Sequence, residues 1–497
     1  MHMRYETRND EATRCTFCSN ACSRTFIDTE TPSGQVSRYI SGFSCEKGLV
    51  ESKEAMKAIA RATSLKCKAT PNLVHEASKL VFSSFEFEPL PQEGHIIEEE
   101  VEVAGRSLLG FKRRRTEIRR RPFERPPPDA LERRRSLRVG IPKTLTLYHC
   151  AHFFSTFFRT LGVGKVVFSN TTSDKLWEEG GKWGTIDPCF PSKVANAHVH
   201  NLLRKKDVDA IFFPMISHLE SHLEEVRGST ACTVQTATPE VVYASFTKEK
   251  DYFKEAGVEY WKPLLNMERR SECAAGLHEY FEDRLDVTRD EVEHACRQGF
   301  RAMEAYRRKL RQKGRESIDR AVREHDIVVV GIGRPYHNDP GINHGILRQF
   351  QLRGYPVIGV ESIPVDEAFL LPLFRDGAGR VDTAAMKGVL DVWKRAYNYG
   401  ANNKLWVAKV IARHPNLVGI DFSCFKCGYD CSISGYMENI AESVRSPYFV
   451  FHDLDQKKSA AALDLRISSI AYFLDQLRND LKAGSSLRPG THVEARA

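Results

Sequence analysis

Short apolar runs separated by amphipathic stretches recur along most of this chain. Apolar runs of four to eight residues, bounded by glycine, proline or polar residues, are typical of buried strands. We predict such strands at 137–142, 166–169, 210–216, 326–333, 356–360, 417–420 and 448–451. Because strands that alternate with helices form parallel sheets with helices on both faces, the pattern predicts an α/β fold.

The amphipathic stretches carry apolar residues three and four positions apart, as helices do. The predicted helices lie at 153–161, 194–206, 292–325, 342–353 and 459–482. Strands and helices alternate in two separate runs, so we predict two α/β domains. Ligands of open α/β sheets bind at the carboxyl ends of the strands, and the residues that follow each strand are therefore the candidates for function.

Composition divides the chain further. The predicted regions are a Cys-rich N-terminal segment at 1–85, a charged Arg/Pro-rich linker at 86–136, a first α/β domain with a helical extension at 137–325, a second α/β domain with a C-terminal helix at 326–482, and a tail at 483–497. We expect the linker to be irregular, because blocks of like charge and prolines favour solvated chain. A docking surface for an acidic partner or nucleic acid is the less favoured alternative.

The formal net charge of +8 is local rather than general. Between Arg106 and Arg138, thirteen lysines and arginines accompany four acidic residues, so the rest of the 497-residue chain is nearly neutral. A general nucleic-acid-binding surface is therefore not expected. The sequence has no apolar run long enough for a membrane span and no apolar signal-peptide core, so we expect a cytoplasmic protein. Its 13 cysteines then need a role other than disulfides.

The first group of cysteines is Cys15-x2-Cys18-x3-Cys22, followed at a distance by Cys45. Three thiolates in one short loop can converge on a metal, and a fourth completes a tetrahedral set. Four cysteines suit either a [4Fe–4S] cluster or a structural zinc ion. The spacing leaves both interpretations open.

Three further cysteines, Cys189, Cys232 and Cys427, lie in loops near predicted strand ends. Loops of this kind can converge between two domains, where three thiolates would leave one coordination position open. Such a site suits a reactive cluster better than a closed structural one. The alternative is that all three are free buried cysteines, which are common in protein cores. Cys424 and Cys431 flank Cys427 and are either additional ligands or spectators.

Four stretches of the sequence resemble a known family. They are Cys15-x2-Cys18-x3-Cys22 with Arg38-Tyr-Ile-Ser-Gly-x2-Cys45; Gly140-Ile-Pro with Cys189-x-Pro-x-Lys193; Gly333-Arg-Pro-Tyr-His337-x-Asp339-Pro-x-Ile342-Asn-His344-Gly; and Phe425-Lys-Cys427-Gly-x-Asp430 with Pro447-Tyr-Phe-x-Phe-His452-Asp-Leu-Asp455. Together they look like the C-terminal half of the large CoA-substrate-specific enzyme activase proteins. That half is similar to the iron–sulfur subunits of 2-hydroxyacyl-CoA dehydratases, benzoyl-CoA reductases and double-cubane-cluster proteins.

The resemblance implies two flavodoxin-like α/β domains with an iron–sulfur cluster between them, either [4Fe–4S] or the [8Fe–9S] double cubane. The cluster cysteines of the family correspond to Cys189, Cys232 and Cys427. The resemblance leaves open whether the N-terminal cysteines bind a centre of their own or contribute to this one. Cys431 stands where alanine is expected, which is a departure from the family pattern beside Cys427.

The large members of the family also carry ATPase domains of the actin/hexokinase type in their N-terminal part. This chain has no phosphate-loop signature. The resemblance therefore implies a separate ATP-hydrolysing activator with its own iron–sulfur cluster. From that partner the chain would accept low-potential electrons and pass them to a small-molecule substrate, in an oxidoreductase or a 2-hydroxyacyl-CoA dehydratase-like lyase. A dimer is expected as well.

The loop from Arg334 to His344 follows a predicted strand, where a ligand of an α/β sheet binds. We predict that Arg334 holds an anionic group and that His337 and His344 donate protons or hydrogen bonds, as candidate catalytic residues. The alternative is a loop fastened by its own side-chain hydrogen bonds. Two other functions remain open: a non-catalytic iron–sulfur electron carrier or cluster scaffold, and a zinc-stabilised interaction protein.

Overall fold

The structure is a computed structural model, and it describes residues 4–18, 21–31, 34, 36–43, 46–106, 112–184, 188–455 and 460–484. The N-terminal segment contains a three-stranded antiparallel sheet and two helices: β1 (Arg4–Arg8), β2 (Thr25–Glu30), β3 (Val36–Ser41), α1 (Lys53–Ala69) and α2 (Leu73–Leu80). In α2, Ala77 packs into the core of the first α/β domain, whereas Leu73 packs into the core of the second. The N-terminal segment is therefore fastened to both domains.

Residues 86–136 differ from the irregular linker that the charge pattern predicts. They contain a hairpin and a helix: β4 (Ile96–Arg106), β5 (Lys112–Pro122) and α3 (Pro128–Ser136). Glu98 and Glu99 of β4 lie opposite Arg120 and Arg119 of β5, and the side chains of Glu98 and Arg120 are 2.8 Å apart. Opposite charges on facing strands stabilise a hairpin. The prediction of irregular chain is wrong for these elements.

Some arginines of this charged segment form ion pairs with residues of the first domain. Arg121 of the hairpin lies 2.6 Å from Asp290. Arg134 of α3 is buried, and its guanidinium lies 2.9 Å from Glu291 and donates to the carbonyl oxygen of Leu285 at 2.7 Å. A buried guanidinium is tolerated only when its charge and its donors are satisfied in this way. These arginines therefore attach the charged segment to the first domain.

The first α/β domain is built on a parallel sheet in the spatial order β7-β6-β8-β10. Its strands, with a short parallel pair beyond them, are β6 (Arg138–Ile141), β7 (Lys165–Phe168), β8 (Ala210–Phe212), β9 (Met215–His218), β10 (Glu259–Trp261) and β11 (Leu264–Asn266). Its helices are α4 (Leu147–Thr160), α5 (Asp174–Gly180), α6 (Phe190–Lys205), α7 (Thr233–Thr247), α8 (Tyr252–Ala256) and α9 (Arg270–Leu285). The phenylalanine-rich face predicted for α4 is fully buried in this core.

The second α/β domain repeats the design with a parallel sheet in the order β13-β12-β14-β15. Its strands are β12 (Val328–Ile332), β13 (Val357–Gly359), β14 (Leu417–Phe422) and β15 (Tyr448–Phe451). The helices of this half are α10 (Arg289–Arg323), α11 (Ile346–Leu352), α12 (Glu367–Leu373), α13 (Thr383–Lys387), α14 (Tyr399–Arg413), α15 (Gly428–Cys431), α16 (Ser434–Ser443) and α17 (Ala460–Lys482).

Both sheets have the same topology. Numbered within each domain, the strands stand in the order 2-1-3-4, which is the flavodoxin-like order, and all neighbouring pairs are parallel. The predicted fold class is confirmed. In such sheets a crevice opens at the carboxyl ends of strands 1 and 3, where the connections leave toward opposite faces. In the second domain these strands are β12 and β14.

Helix α10 connects the two domains. Its first half, from Val292 to Leu310, packs in the first core, whereas Ile318 and Ala321 pack in the second. Gly314 lies between these halves, so close to the second domain that a Cβ atom there would lie 1.8 Å from the carbonyl oxygen of Ser362. Among the helices that the structure describes, none has the length and apolar character needed to cross a bilayer.

We expect Gly314→Ala to destabilise the protein, because the added methyl group must displace the backbone at Ser362. Overpacking of this kind costs about 1–3 kcal/mol, which exceeds the gain of up to about 1 kcal/mol from replacing a helical glycine with alanine. The measurement is the midpoint of urea unfolding, followed by far-UV circular dichroism.

Gly276→Ala in α9 is the matched control, since the nearest atom to its new Cβ would be Leu265 Cδ2 at an ordinary 3.5 Å. This variant should unfold at the same or a slightly higher urea concentration. Equal shifts in the two variants would contradict the close approach at Gly314.

Candidate functional site

The candidate site lies where the loops after β12 and β14 meet two loops of the first domain. Arg334 follows β12, and Cys427 follows β14. Arg334 Nη2 lies 3.6 Å from Cys427 Sγ, which joins the two loops of the second domain. Cys189 and Cys232 of the first domain lie close enough to influence the ionisation of groups in these loops. The structure therefore brings residues from both domains together at the carboxyl ends of the second sheet.

Each of the three predicted cluster cysteines stands at the N-terminus of a helix. Cys189 is the N-cap residue of α6, Cys232 that of α7, and Cys427 that of the short helix α15. The unpaired N–H groups of a first helical turn carry partial positive charge and favour a thiolate or another anion. The first turns of α6 and α7 therefore favour an anionic group beside Cys189 and Cys232.

Cys424, which the sequence leaves as either ligand or spectator, lies between two of these cysteines. Its thiol lies beside those of Cys189 and Cys427, and this proximity raises the pKa of Cys424 and lowers the pKa of each partner. Cys232 differs, because burial raises the pKa of its thiol. In contrast to Cys424, Cys431 is exposed. Three thiols thus lie side by side at the seam between the domains.

Arg334 is the buried cation of the site. Its side chain is 3% exposed, and Nη2 lies 2.7 Å from Asp430 Oδ1 in addition to its contact with Cys427. Its Nη1 donates to Asn398 Oδ1 at 3.4 Å. Burial alone would raise the pKa of Asp430, but the charges of Arg334 and Lys404 hold that pKa well below its usual range.

A second buried ion pair lies next to the first. Lys404 of α14 is 1% exposed, and its Nζ lies 2.7 Å from Asp421 and 3.2 Å from Asp430. Asp421 also accepts hydrogen bonds from Tyr448 and His452, each at 2.7 Å. The positive charges of Arg334 and Lys404 therefore balance the carboxylates of Asp421 and Asp430, which lie directly beneath the cysteine loop. The loop rests on a neutral but strongly polar network.

The donor set suits an iron–sulfur cluster in its chemistry. Thiolates are the usual ligands of iron–sulfur centres, and the helix N-termini and Arg334 favour the negative charge of such a centre. In the conformation described, however, no three histidine, cysteine or acidic side chains of the described residues are arranged to hold a metal ion. The cysteines therefore suit a cluster by their residue type and their position. Their side chains are not arranged as a set of metal ligands.

The three predicted catalytic residues do not share one pocket. Arg334 and His337 line a small cavity of about 50 Å³ between the domains, while His344 lines a much larger cleft. His337 is buried, its Nδ1 accepts the backbone N–H of Arg334 at 3.0 Å, and burial lowers its pKa to about 3. The loop is also fastened internally, because Asn343 donates to the carbonyl oxygen of His337 at 2.8 Å. The polar residues of this loop therefore have a structural role, because their hydrogen bonds hold the loop in its conformation.

The N-terminal cysteines lie at the large cleft, which has a volume of about 1970 Å³. Cys15, Cys18 and Cys22 all line it, and the backbone N–H of Cys15 donates to the carbonyl oxygen of Cys22 at 3.0 Å. Cys45, the predicted fourth ligand, lies outside the described residues. These three cysteines thus line one space.

Sequence reasoning missed the charged residues beneath the site. Lys404 lies in the otherwise buried run of α14, and Asp421 lies within the fully buried strand β14. A charge inside an apolar strand or helix face is a usable signal, because burial requires an opposite charge nearby. The identity of that partner depends on the tertiary fold and is not encoded in local spacing.

One family model matches part of the chain. Residues 138–363 match the model of the family described as the CoA enzyme activase uncharacterised domain, a stretch that contains Cys189, Cys232 and Arg334. No curated protein matches the chain. Among solved structures, glucosamine-6-phosphate deaminase from Thermotoga maritima is aligned over 72% of this chain and 89% of that chain, with 10% identity and a TM-score of 0.16. A score this low carries no argument about fold or function.

We expect Asp430→Asn to destabilise the protein by about 3–5 kcal/mol at neutral pH, because it removes the carboxylate that both Arg334 and Lys404 contact. The folded-state pKa of Asp430 is lowered, so its stabilisation is complete above the pKa of an unfolded aspartate and is lost as the pH falls. The difference between variant and wild type should therefore shrink in acid. Urea unfolding at several pH values measures it.

Asp319→Asn is the control, since Asp319 pairs with Arg315 on the exposed face of α10. Exposed pairs of this kind contribute little, so this variant should unfold like the wild type at every pH. A stability loss for Asp430→Asn no larger than for the control would show that the buried network does not hold the site.

Proposed function

We propose that the chain is an iron–sulfur protein related to the CoA enzyme activase family, whose model matches its residues 138–363, and that it passes low-potential electrons to a small-molecule substrate. Its electrons would come from a separate ATP-hydrolysing activator with its own cluster. The observation that carries this proposal is the meeting of cysteines from both domains, each at a helix N-terminus, beside the buried Arg334. A zinc knuckle would not need cations and helix ends of two domains to surround its thiols.

We assign the cluster to Cys189, Cys232 and Cys427, with Cys424 as an additional ligand. We include Cys424 because its thiol lies beside two of the three cysteines, Cys189 and Cys427. When bound, the cluster supplies one-electron chemistry at low potential. Metal binding requires thiolates, so Cys424 would release its proton when the centre is loaded.

The surrounding residues suit a centre that accepts electrons. Reduction adds negative charge, and the buried guanidinium of Arg334 lies 3.6 Å from Cys427 to compensate it. Lys404 contacts the carboxylate of Asp430 as well, so Arg334 does not balance that negative charge alone. Because both cations are buried, solvent and salt screen them little. The protein would therefore hold the added electron without drawing water into the site.

The small-molecule substrate belongs in the large cleft. Phe190 lines this cleft and directly follows Cys189 in the chain, so a molecule bound there would lie next to the thiol site. Lys143, Lys193 and Arg348 also line the cleft and suit a substrate with anionic groups. His344 lies in the same wall, where it would orient or protonate the substrate.

We propose a second centre at Cys15, Cys18 and Cys22, in the part of the cleft wall that the N-terminal segment forms. Cys45 would complete it, as the sequence spacing suggests. A centre of its own is favoured because these cysteines line the cleft, whereas Cys189, Cys232 and Cys427 do not. The active form would be a dimer that docks the activator.

The assignment is tested by single substitutions in anaerobically purified protein. We expect Cys427→Ser to lower the iron content and to abolish reduction of the centre, because it removes a proposed ligand. Cys296→Ser, whose thiol is buried in the core of the first domain, should leave both unchanged. Iron and sulfide analysis with the visible absorption spectrum measures the result, and equal iron content in the two variants would count against the site.

The proposed reaction needs a separate measurement. Wild-type protein that contains iron should turn over a small substrate only when an activator and ATP are supplied. Stoichiometric zinc without iron or sulfide would exclude the redox function and favour the interaction protein. Iron without any activator-dependent turnover would identify an electron carrier or scaffold instead.

A further inference from the structure

A row of four hydrogen-bonded side chains runs from the large cleft to a carboxyl group buried between the domains. Ser169 Oγ lies 2.8 Å from Nδ1 of His198, and Nε2 of the same ring lies 2.9 Å from Thr172 Oγ1. Thr172 also hydrogen-bonds to Asp339 Oδ2. The first three residues belong to the first domain, in the loop after β7 and in α6, whereas Asp339 follows β12 of the second. The row therefore crosses the seam between the domains.

The row joins the cleft to a place that is closed to solvent. Ser169 and Thr172 both line the large cleft. His198 and Asp339, by contrast, are 0% and 1% exposed. The second domain also packs tightly over this point, because a Cβ atom at Gly341 would lie 2.5 Å from Thr172 Cγ2. The carboxyl group therefore exchanges protons with the cleft through its hydrogen-bonded neighbours.

The hydrogen bonds of the row have one direction when Asp339 is ionised. A carboxylate only accepts, so Thr172 donates its single hydroxyl proton to Asp339. Thr172 Oγ1 then accepts Nε2–H of His198, and the unprotonated Nδ1 accepts the hydroxyl proton of Ser169. In this state each hydroxyl proton of the row is directed away from the cleft.

Protonation of Asp339 reverses all of these bonds. The carboxyl group then donates to Thr172, the threonine hydroxyl donates to Nε2, and Nδ1–H of His198 donates to Ser169. The row then leaves the hydroxyl proton of Ser169 unused, and this residue lines the cleft. Because each member both donates and accepts, the two states need no change in the positions of the heavy atoms.

The surroundings of Asp339 keep its proton available near neutral pH. Burial raises the pKa of Asp339 to about 6, although its hydrogen bonds and the charge of Lys143 oppose this shift. Lys143 of the loop after β6 and Tyr148 of α4 are the other titratable groups that face the carboxyl group. His198 stays neutral, because burial lowers its pKa to about 3. The carboxyl group therefore gains and loses a proton, while the ring passes one along.

We propose that Asp339 stores a proton between the domains and that Thr172, His198 and Ser169 deliver it to a molecule bound in the large cleft. Ser169 gives its hydroxyl proton to that molecule, and the other protons of the row each move one place, so Asp339 is left ionised. The ring of His198 ends neutral, with its proton on the other nitrogen. Water in the empty cleft returns a proton by the reverse route. Use of this proton by a substrate rests on the proposed function, whereas the store and the row do not.

The store is tested by the infrared absorption of the full-length protein as the pH is lowered. We expect a protonated-carboxyl band with a midpoint at about pH 6 that is missing in Asp339→Asn. Asp319→Asn, which removes an exposed carboxylate paired with Arg315, should keep this band. Circular dichroism establishes that the variants are folded. Folded wild-type protein without such a band would overturn the proposal, whatever the variants show.

The route is tested by the rate at which this carboxyl proton exchanges with deuterium in D₂O, followed by the isotope shift of the band. Ser169→Ala should slow the exchange about tenfold or more, because the hydroxyl that carries the proton into the cleft is lost. Ser169→Thr keeps a hydroxyl and should restore most of the rate. Ser317→Ala is the control, since its buried hydroxyl donates to the carbonyl oxygen of Lys313, outside the row. Equal rates in Ser169→Ala and wild type would overturn the route.

These measurements need no substrate, so they separate the proton store from the proposed iron–sulfur function. Iron with activator-dependent turnover, but without the carboxyl band, would refute the store alone. A carboxyl band whose exchange depends on Ser169, in protein that holds no iron, would refute the iron–sulfur function and support the store.

Discussion

The buried ion pair of Arg334 with Asp430 is the interaction on which the arrangement of the site depends. It joins the loops after β12 and β14, two neighbouring strands whose carboxyl ends open the crevice of the second sheet. Asp430 is shared with Lys404, which in turn holds Asp421 at the end of β14. Each charge is buried only because its partner is present, so the loops that carry Cys424 and Cys427 have little freedom to separate.

Arg334 also connects two spaces that are otherwise separate. Its Nη2 contacts Cys427, while its unpaired Nε belongs to the wall of the small cavity between the domains. A single delocalised charge therefore serves both places.

The architecture was largely predictable because its signals are local. The apolar runs became parallel strands, and the long amphipathic stretch after Val292 became α10, since both periodicities follow from burial of one face. The charged segment was not predictable in the same way. Its acidic and basic blocks look solvated when each is considered alone, and only their pairing across β4 and β5 gives an ordered hairpin. The site followed the same rule: the cysteines could be found from spacing, whereas Lys404 and Asp421 depend on partners distant in the chain.

One fully buried side chain, that of Asn398, joins the first domain directly to this site. Asn398 caps α14 by accepting the N–H of Ala401 at 3.0 Å, and its amide donates to the carbonyl oxygen of Thr230 at 3.1 Å. The same Oδ1 accepts from Arg334 at 3.4 Å. Thr230 lies two residues before Cys232. Asn398 thus hydrogen-bonds to the first-domain loop that carries Cys232, to the helix that carries Lys404 and to the guanidinium of Arg334. A shift of one domain against the other would therefore disturb all three.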